Sequence, residues 1–436
     1  MAVDNCGTTR TLTSCGTCST GYTCSVAGQC LSSTPVCGDG SCTGSETCST
    51  CSADCGSCST SYLRTFYVSS STGNDNNDGL TQSTPWKTLQ YAESQAMTPG
   101  NILALKRGDV WSFDNVFEIN KGGTIGNPIV WDGNLWGTGA KAIIQANSDG
   151  GSVPKYYSLV HIAGCHDVTF QNITVNVQNH KRFGIVIGGD YQFDGPTKQD
   201  RESNIIIQDS NLLNCGDGTD YEVCLLVRTW NSDTSKNNIT NITIRRNYID
   251  GASNHDIAFY PGKTQDGATP GFIKDCYIGY NTITNFGKKN DGVYTGIMIN
   301  NGERNIVVEH NNITTGVYGN GFGMAIDNNE QNTGYFPTGI IVRYNDIRMR
   351  DNSALFIEHG QAMTANIYSN NFYTSAANSG GGTIWIANNG VYTGASFNIY
   401  NNVLGTGTGR CFTDSSGIKG VVIQSNNTFI PSSCGP

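Results

Sequence analysis

Two carboxylic acids, Asp327 and Glu358, occupy the same place in two related phrases of the chain, "FGMAIDNN" and "ALFIEHG". Six further segments share the pattern: "FGIVIGG", "VCLLVRT", "DIAFYPG", "GIMINNG", "TIWIANNG" and "RCFTDSSG". Each alternates apolar residues at the period of a strand. Taking the alternate apolar residues as inward-facing (Ile185/Ile187, Ile257/Phe259, Ile297/Ile299, Ile384/Ile386) leaves two outward columns. The last outward position reads Gly188, Arg228, Tyr260, Asn300, Asp327, Glu358, Ala387 and Asp414. The one two residues earlier reads Val186, Leu226, Ala258, Met298, Ala325, Phe356, Trp385 and Phe412. Strands stacked ~4.8 Å apart would set both columns on one exposed face.

Sugars bind by stacking on aromatic rings and by hydrogen bonds to planar amides, guanidinium groups and carboxylates. Arg228, Tyr260, Asn300, Phe356 and Trp385 supply those groups, and His359 beside Glu358 could orient or bind a substrate. Neighbouring strands would bring Asp327 and Glu358 nearer the ~5–5.5 Å of retaining glycosidases than the ~6.5–9.5 Å of inverting ones. Mutual repulsion would hold a proton on one, the acid, and leave the other as nucleophile. The same oxygens also suit calcium, with Asn300, Asp327 and Glu358 as ligands. The plain alternative is that acids on a sheet face simply solvate it. His255 beside Asp256 lies two to three repeats away.

A second recurring phrase says what positions these residues. "NITIRRNYI", "NIVVEHNNI", "GIIVRYNDI" and "VVIQSNNTF" carry an Asn two places before an apolar residue. The Asn falls at Asn211, Asn247, Asn281, Asn311, Asn345, Asn370, Asn401 and Asn427. Uneven gaps around a constant phrase mean a stacked repeat with loops of different length. Short strands without intervening helices describe the coils of a parallel β-solenoid. Asn tolerates the left-handed bend of a tight corner, and its amide can bond the Asn one coil away. The phrase is scaffold, and sequons such as Asn172-Ile-Thr174 that overlap it should stay unmodified where buried. "RR" at Arg245–Arg246, with Glu309, His310 and Arg343, reads as surface ion pairing. His180-Lys181-Arg182, with Arg201 on the next loop, is either a polyanion subsite or a solvated loop.

The totals narrow the class. The 436 residues allow one large domain and a small one. A charged fraction of 14%, below the ~25% usual for soluble proteins, and 54 Gly suit a β-rich extracellular chain. A net charge of -9 speaks against a nucleic-acid binder. Eleven of the 17 Cys lie between Cys6 and Cys58, so residues 1–60 should form a disulfide-stapled module and residues 61–436 the solenoid. Zinc at Cys15-Gly-Thr-Cys18 and Cys55-Gly-Ser-Cys58 is the rival reading. Asp39, Glu46 and Asp54 form either a calcium site or an acidic rim. An odd count leaves at least one thiol outside intrachain pairs; Cys276 is expected free, and Cys411 with Cys434 should fasten the C-terminal end. No signal-peptide pattern follows Met1, from which we expect a mature secreted chain, and no apolar run approaches the ~20 residues of a membrane span. "GNDNNDG" reads as a turn, and Thr84 before Pro85 as the N-cap of a helix to about Ala96.

The opening "FYVSSSTGNDNNDGLTQSTPWKTL", the strand "LALKRGDVWSF" and the Asn ladder resemble the right-handed parallel β-helix superfamily, over about residues 62–430. That superfamily holds pectate, alginate and chondroitinase-type lyases, polygalacturonases and other glycosidases, and also adhesins. "CGDGSCTGSETCSTCSADCGSC" resembles a cysteine-rich module of secreted microbial proteins, for which attachment to a surface or matrix, spacing or weak glycan binding are the roles to expect. The resemblance implies an all-β, right-handed parallel β-helix enzyme that cleaves a polysaccharide. Hydrolysis by Asp327 and Glu358 needs no cofactor. A lyase would use calcium to neutralise a uronate while Lys or Arg removes the C5 proton. No Lys stands in either column, and Arg228 lies three coils from Asp327, roughly 14 Å. Lys288, Lys289, Arg348 or Arg350 would have to reach in from loops. The Asn-Thr-Asp and Gly-His-Gly signatures of polygalacturonases are missing. A non-catalytic glycan-binding adhesin or surface protein is the third expectation.

Overall fold

In the computed structural model the chain forms two compact units, Met1–Tyr62 and Leu63–Pro436. The structure describes residues 63–149, 158–189, 202–229, 238–261, 272–289, 294–315, 321–327, 336–358, 362–375, 381–387, 394–415 and 422–434, with four short strands of the first unit. In that unit Ala2–Val3 pairs with Thr9–Arg10 and Tyr22–Cys24 with Cys30–Ser32, both antiparallel. The disulfide network expected there, the two zinc-like Cys pairs and the acids Asp39, Glu46 and Asp54 lie outside the described residues.

The second unit is a parallel β-helix. Its chain visits three sheets in rotation, and every strand pair within them is parallel. One coil shows the cycle: Ser203–Gln208 in the first sheet, Asn211–Leu213 in the second, Val223–Thr229 in the third, then Asn238–Arg245 back in the first. The sheets hold 13, 11 and 10 described strands, enough to make the interior one continuous column of Ile, Val, Leu and Phe. Parallel strands buried in this way need an apolar residue at every second position, which is the alternation the sequence carries. Ile185, Ile187, Ile257, Phe259, Ile297, Ile299, Ile384 and Ile386 all point into that core, as expected.

The ladder runs between the first and second sheets, one residue away from two of its expected rungs. Backbone N–H groups of Ser210, Asn247, Asn281, Asn311, Asn345, Asn370 and Asn402 each donate to the side-chain oxygen of the next Asn, ending on Asn427. The rungs are therefore Ser210 and Asn402, not Asn211 and Asn401. Each Asn amide also donates to a strand carbonyl such as Ile244, Ile278 or Val308. Nor does the Asn itself take the left-handed bend. The residue before it does, at Asp209, Arg246, Tyr280, His310, Tyr344, Ser369, Asn401 and Asn426, with φ between 53° and 59°. Bulky residues are uncommon in that region, and three in succession, Tyr280, His310 and Tyr344, stack their rings at 4.6 and 5.1 Å.

The N-terminal end of the solenoid is closed by a helix, Leu89–Ser94, capped by Thr88 rather than Thr84. The Thr84 hydroxyl is committed to Asp78, and Trp86 is drawn into extended pairing with Tyr67 and Ser69, so the helix starts one turn late. "GNDNNDG" is a turn, as expected: Asp75 within it accepts from the N–H groups of Lys87 and Thr88 and from the Thr88 hydroxyl. Disulfides join Cys411 to Cys434, as expected, and Cys215 to Cys224. Cys276 is free and buried, and so is Cys165. The paired guanidinium groups expected at the surface are there: Arg246 with Asp209, and Arg343 with Glu309.

Candidate functional site

The third sheet presents the two outward columns in the expected register through most of their length. Gly188 lies opposite Arg228 and Arg228 opposite Tyr260. Asn300 lies opposite Asp327, and Asp327 opposite Glu358. The two acids therefore stand on adjacent strands at one level. In the column beside them Ala258, Met298, Ala325, Phe356 and Trp385 follow one another. The last coil departs from expectation. Asp414 lies opposite Ile386 and Phe412 opposite Ile384, so both belong to the inward set, and Thr413 is the residue that follows Trp385.

This face is buried, not exposed. Val186, Leu226, Ala258, Met298, Ala325 and Phe356 form an apolar cluster separate from the solenoid core, with Tyr260 and Trp385 packed at its edge. Phe356 stacks on Phe322 at 4.2 Å and meets Trp385 at 5.0 Å. The acids share this burial, Asp327 at 1% exposure and Glu358 at 8%. Asn300 is fully buried, while Arg228 and Tyr260 are half-buried. A carboxylate taken this far from water is costly unless a partner compensates it. Asn300 hydrogen-bonds the Tyr260 hydroxyl, and the Trp385 indole nitrogen finds no acceptor. The Arg228 guanidinium lies 5.9 Å from the Tyr260 ring centre, within cation–π range. Burial raises the Tyr260 hydroxyl pKa; Arg228 opposes that rise, and the negative charges of Asp327 and Glu303 add to it. His359 lies outside the described residues.

At the start of the same strands, His255 stands opposite Thr295, and its Nδ1 is 2.9 Å from the Thr295 hydroxyl. Tyr221 meets its ring edge-on. Burial presses the His255 pKa down to about 3, so the imidazole is neutral at working pH. Asp256, next to it, is fully buried, accepts from the Ala252 N–H, and is raised well above the ordinary carboxylate range by that burial.

Several buried polar groups were not singled out by sequence. Glu222, inside the loop closed by Cys215–Cys224, is lifted to about 7 by burial, against the pull of the Ser253 hydroxyl. Glu303 is fully buried, which raises its carboxyl well above the ordinary range against hydrogen bonds from the backbone of Glu303 and Asn300, and Asn301, in a left-handed bend, has both amide atoms buried without partners. The signal for these three is their position. Each sits in a connection between strands, where no alternation explains a residue that the fold nevertheless buries.

The loop cations considered as helpers have other partners. Lys288 donates to Asn179, Arg348 to Asp346 and Arg350 to Asp351. Arg182, in the cluster weighed as an anion subsite, is 1% exposed and donates to the carbonyls of Phe113, Asp114, Ser148 and Ser158. It is a structural clamp. Arg201 lies outside the described residues. Among the described residues no group of three or more His, Cys, Asp or Glu is arranged to hold a metal ion, and no helix is long and apolar enough to cross a membrane.

No known family and no curated protein matches the chain. Solved structures do. The native GH136 lacto-N-biosidase from Eubacterium ramulus is similar with a TM-score of 0.51 at 16% identity, covering 84% of this chain and 68% of that one. Its selenomethionine derivative gives 0.50 at 15% identity, over 84% and 67%. The complex of XylC with xylose follows at 0.46 and 13%, over 83% and 70%. Identity this low speaks to fold alone, and the fold it speaks to is the one the strand order shows: this chain is a right-handed parallel β-helix.

Proposed function

We propose that the protein is a secreted carbohydrate-active enzyme that cleaves glycosidic bonds of an extended polysaccharide, with Asp327 and Glu358 as the reacting carboxyls. The observation that carries this reading is their register: two acids directly opposite on adjacent strands, with Phe356 and Trp385 on the neighbouring column. Strand spacing of ~4.8 Å suits the shorter, retaining geometry. One acid protonates the leaving oxygen and the other attacks the anomeric carbon; water then releases the glycosyl group as the first acid turns base. Arg228 and Tyr260, both half-buried, extend the same column and give a sugar chain donors and a ring to lie against. Likeness to a lacto-N-biosidase agrees with a glycan ligand.

A lyase is the second reading, favoured by Asn300, Asp327 and Glu358 standing at one level on three successive strands. They offer three oxygen-bearing side chains, whereas calcium takes six to eight oxygens, so water and substrate would have to complete the shell. Bound there, calcium would neutralise a substrate carboxylate. The third reading, a glycan-binding adhesin attached through residues 1–60, keeps the same face without chemistry.

The test is a polysaccharide panel followed by both reducing-end release and absorbance of unsaturated uronates. New reducing ends without absorbance support hydrolysis, both signals together support the lyase, and binding without either supports the adhesin. Cleavage that survives both Asp327→Asn and Glu358→Gln refutes the assignment of these residues.

A further inference from the structure

We infer that the cavity at the last described coil of the solenoid is a second glycan site, a pocket for a neutral sugar. A cavity of about 500 Å³ opens there between the strand Arg410–Asp414, the strand Val422–Ser425 and the short turn Ser432–Cys434. That volume is in the range of small-molecule sites. The register of this coil places it apart from the outward face. Phe412 and Asp414 continue the inward columns of Ile384 and Ile386, so the cavity lies on the interior side of the third sheet, two strands beyond Glu358.

Its wall has the chemistry of hydroxyl recognition. Arg410 brings donors, Asp414 acceptors, and Ser433 and Gln424 groups of both kinds, around the ring of Phe412. Arg410 and Asp414 are exposed at opposite ends of one strand. Their opposite charges leave the pocket without a net preference for an anion or a cation, which selects a neutral polyhydroxylated ligand. The wall also contains a buried polar atom without a partner, Gln424 Oε1, on the inward side of its strand opposite Ile399. It leaves a demand that a sugar hydroxyl could meet. The pocket is held open in advance. Cys411, between Arg410 and Phe412, is bonded to Cys434 on the turn that forms the far wall.

The experiment uses the full chain carrying Glu358→Gln, so that no probe is cleaved, with cellobiose, lactose, maltose, N,N'-diacetylchitobiose and digalacturonic acid as probes. Saturation-transfer NMR and calorimetry should find saturable millimolar binding of at least one neutral disaccharide. Arg410→Ala should weaken it about tenfold or more, the worth of one charged hydrogen bond, with an unchanged unfolding midpoint. Arg410→Ala in the otherwise native chain should leave polysaccharide cleavage unchanged, which separates this site from the outward face. The inference is overturned if no neutral disaccharide saturates, if only digalacturonic acid binds, or if Arg410→Ala and Gln424→Leu both bind as the parent does.

Discussion

Replacing one rung of the ladder measures what holds the coils in register. Asn311 is 1% exposed, and its side chain makes five hydrogen bonds. Its oxygen accepts from the backbone and side-chain nitrogens of Asn281, and its two amide hydrogens are shared among Ile278, Glu309 and the oxygen of Asn345. Asn311→Ala removes all five. The Asn281 side chain keeps a partner in Ile244, and the Asn345 oxygen keeps the Asn311 backbone N–H. The Asn281 backbone N–H keeps nothing, and a buried orphan donor costs about 1–3 kcal/mol. With the net worth of the other lost bonds, about 0.5–1.5 kcal/mol each and only partly additive, the expected destabilisation is about 3–5 kcal/mol. Asn312 is the internal control: it is the next residue, has the same side chain, and is exposed. Asn312→Ala should fall within about 0.5 kcal/mol of the parent. Guanidinium unfolding followed by circular dichroism, with equal slopes required in all three proteins, supplies the comparison. Equal midpoints for the two variants would refute the ladder's energetic role.

Four further outcomes are expected. Asp327→Asn and Glu358→Gln should each lower cleavage by about 10²–10⁴-fold, the range for a positioned acid or base, and a chelator should leave the parent's rate unchanged. Glu222 binds a proton up to about pH 7 when folded, against 4.5 for the ordinary side chain. Its contribution to stability is therefore full below pH 4.5 and is lost as pH rises through 7. Glu222→Gln should flatten the fall in unfolding midpoint across that window, with part of the slope remaining from Glu93, which titrates at about 7 for the same reason. Burial lifts the Cys276 thiol to about 12 and raises Cys165 as well. Peptide mass mapping after N-ethylmaleimide treatment at pH 8 should find both unlabelled in the native protein and labelled after unfolding. Cys411→Ala with Cys434→Ala should lower stability by about 3 kcal/mol, the loop-closure scale for a 23-residue separation, read from the unfolding midpoint.

Alternation and repetition made the fold legible, because a parallel solenoid buries every second residue and repeats its corners. They also gave the register of Asp327 against Glu358. The ladder was legible only to within one residue. In Asn401-Asn402 and Asn426-Asn427 both members are Asn, one for a left-handed bend and one for an amide bond, and identity alone does not say which does which. At Ser210 a hydroxyl takes the rung, accepting from the Ile173 N–H, and no Asn marks it. The last coil slipped because its inward column changes from Ile386 to Asp414, which breaks the rule that inward residues are aliphatic. Burial of the outward face was not legible at all. It depends on what packs over the sheet, and strand alternation holds no record of that.

The left-handed residue before each rung has a consequence for how such a chain can change. Successive rungs are separated by as few as 25 residues and as many as 37, yet the corner is rebuilt with the same geometry each time. A length error made anywhere in a coil is therefore cancelled at the next corner and does not reach the coil after it. The solenoid keeps count by turns and not by residues. A segment can be added to one connection, or removed, while Asp327 and Glu358 stay face to face.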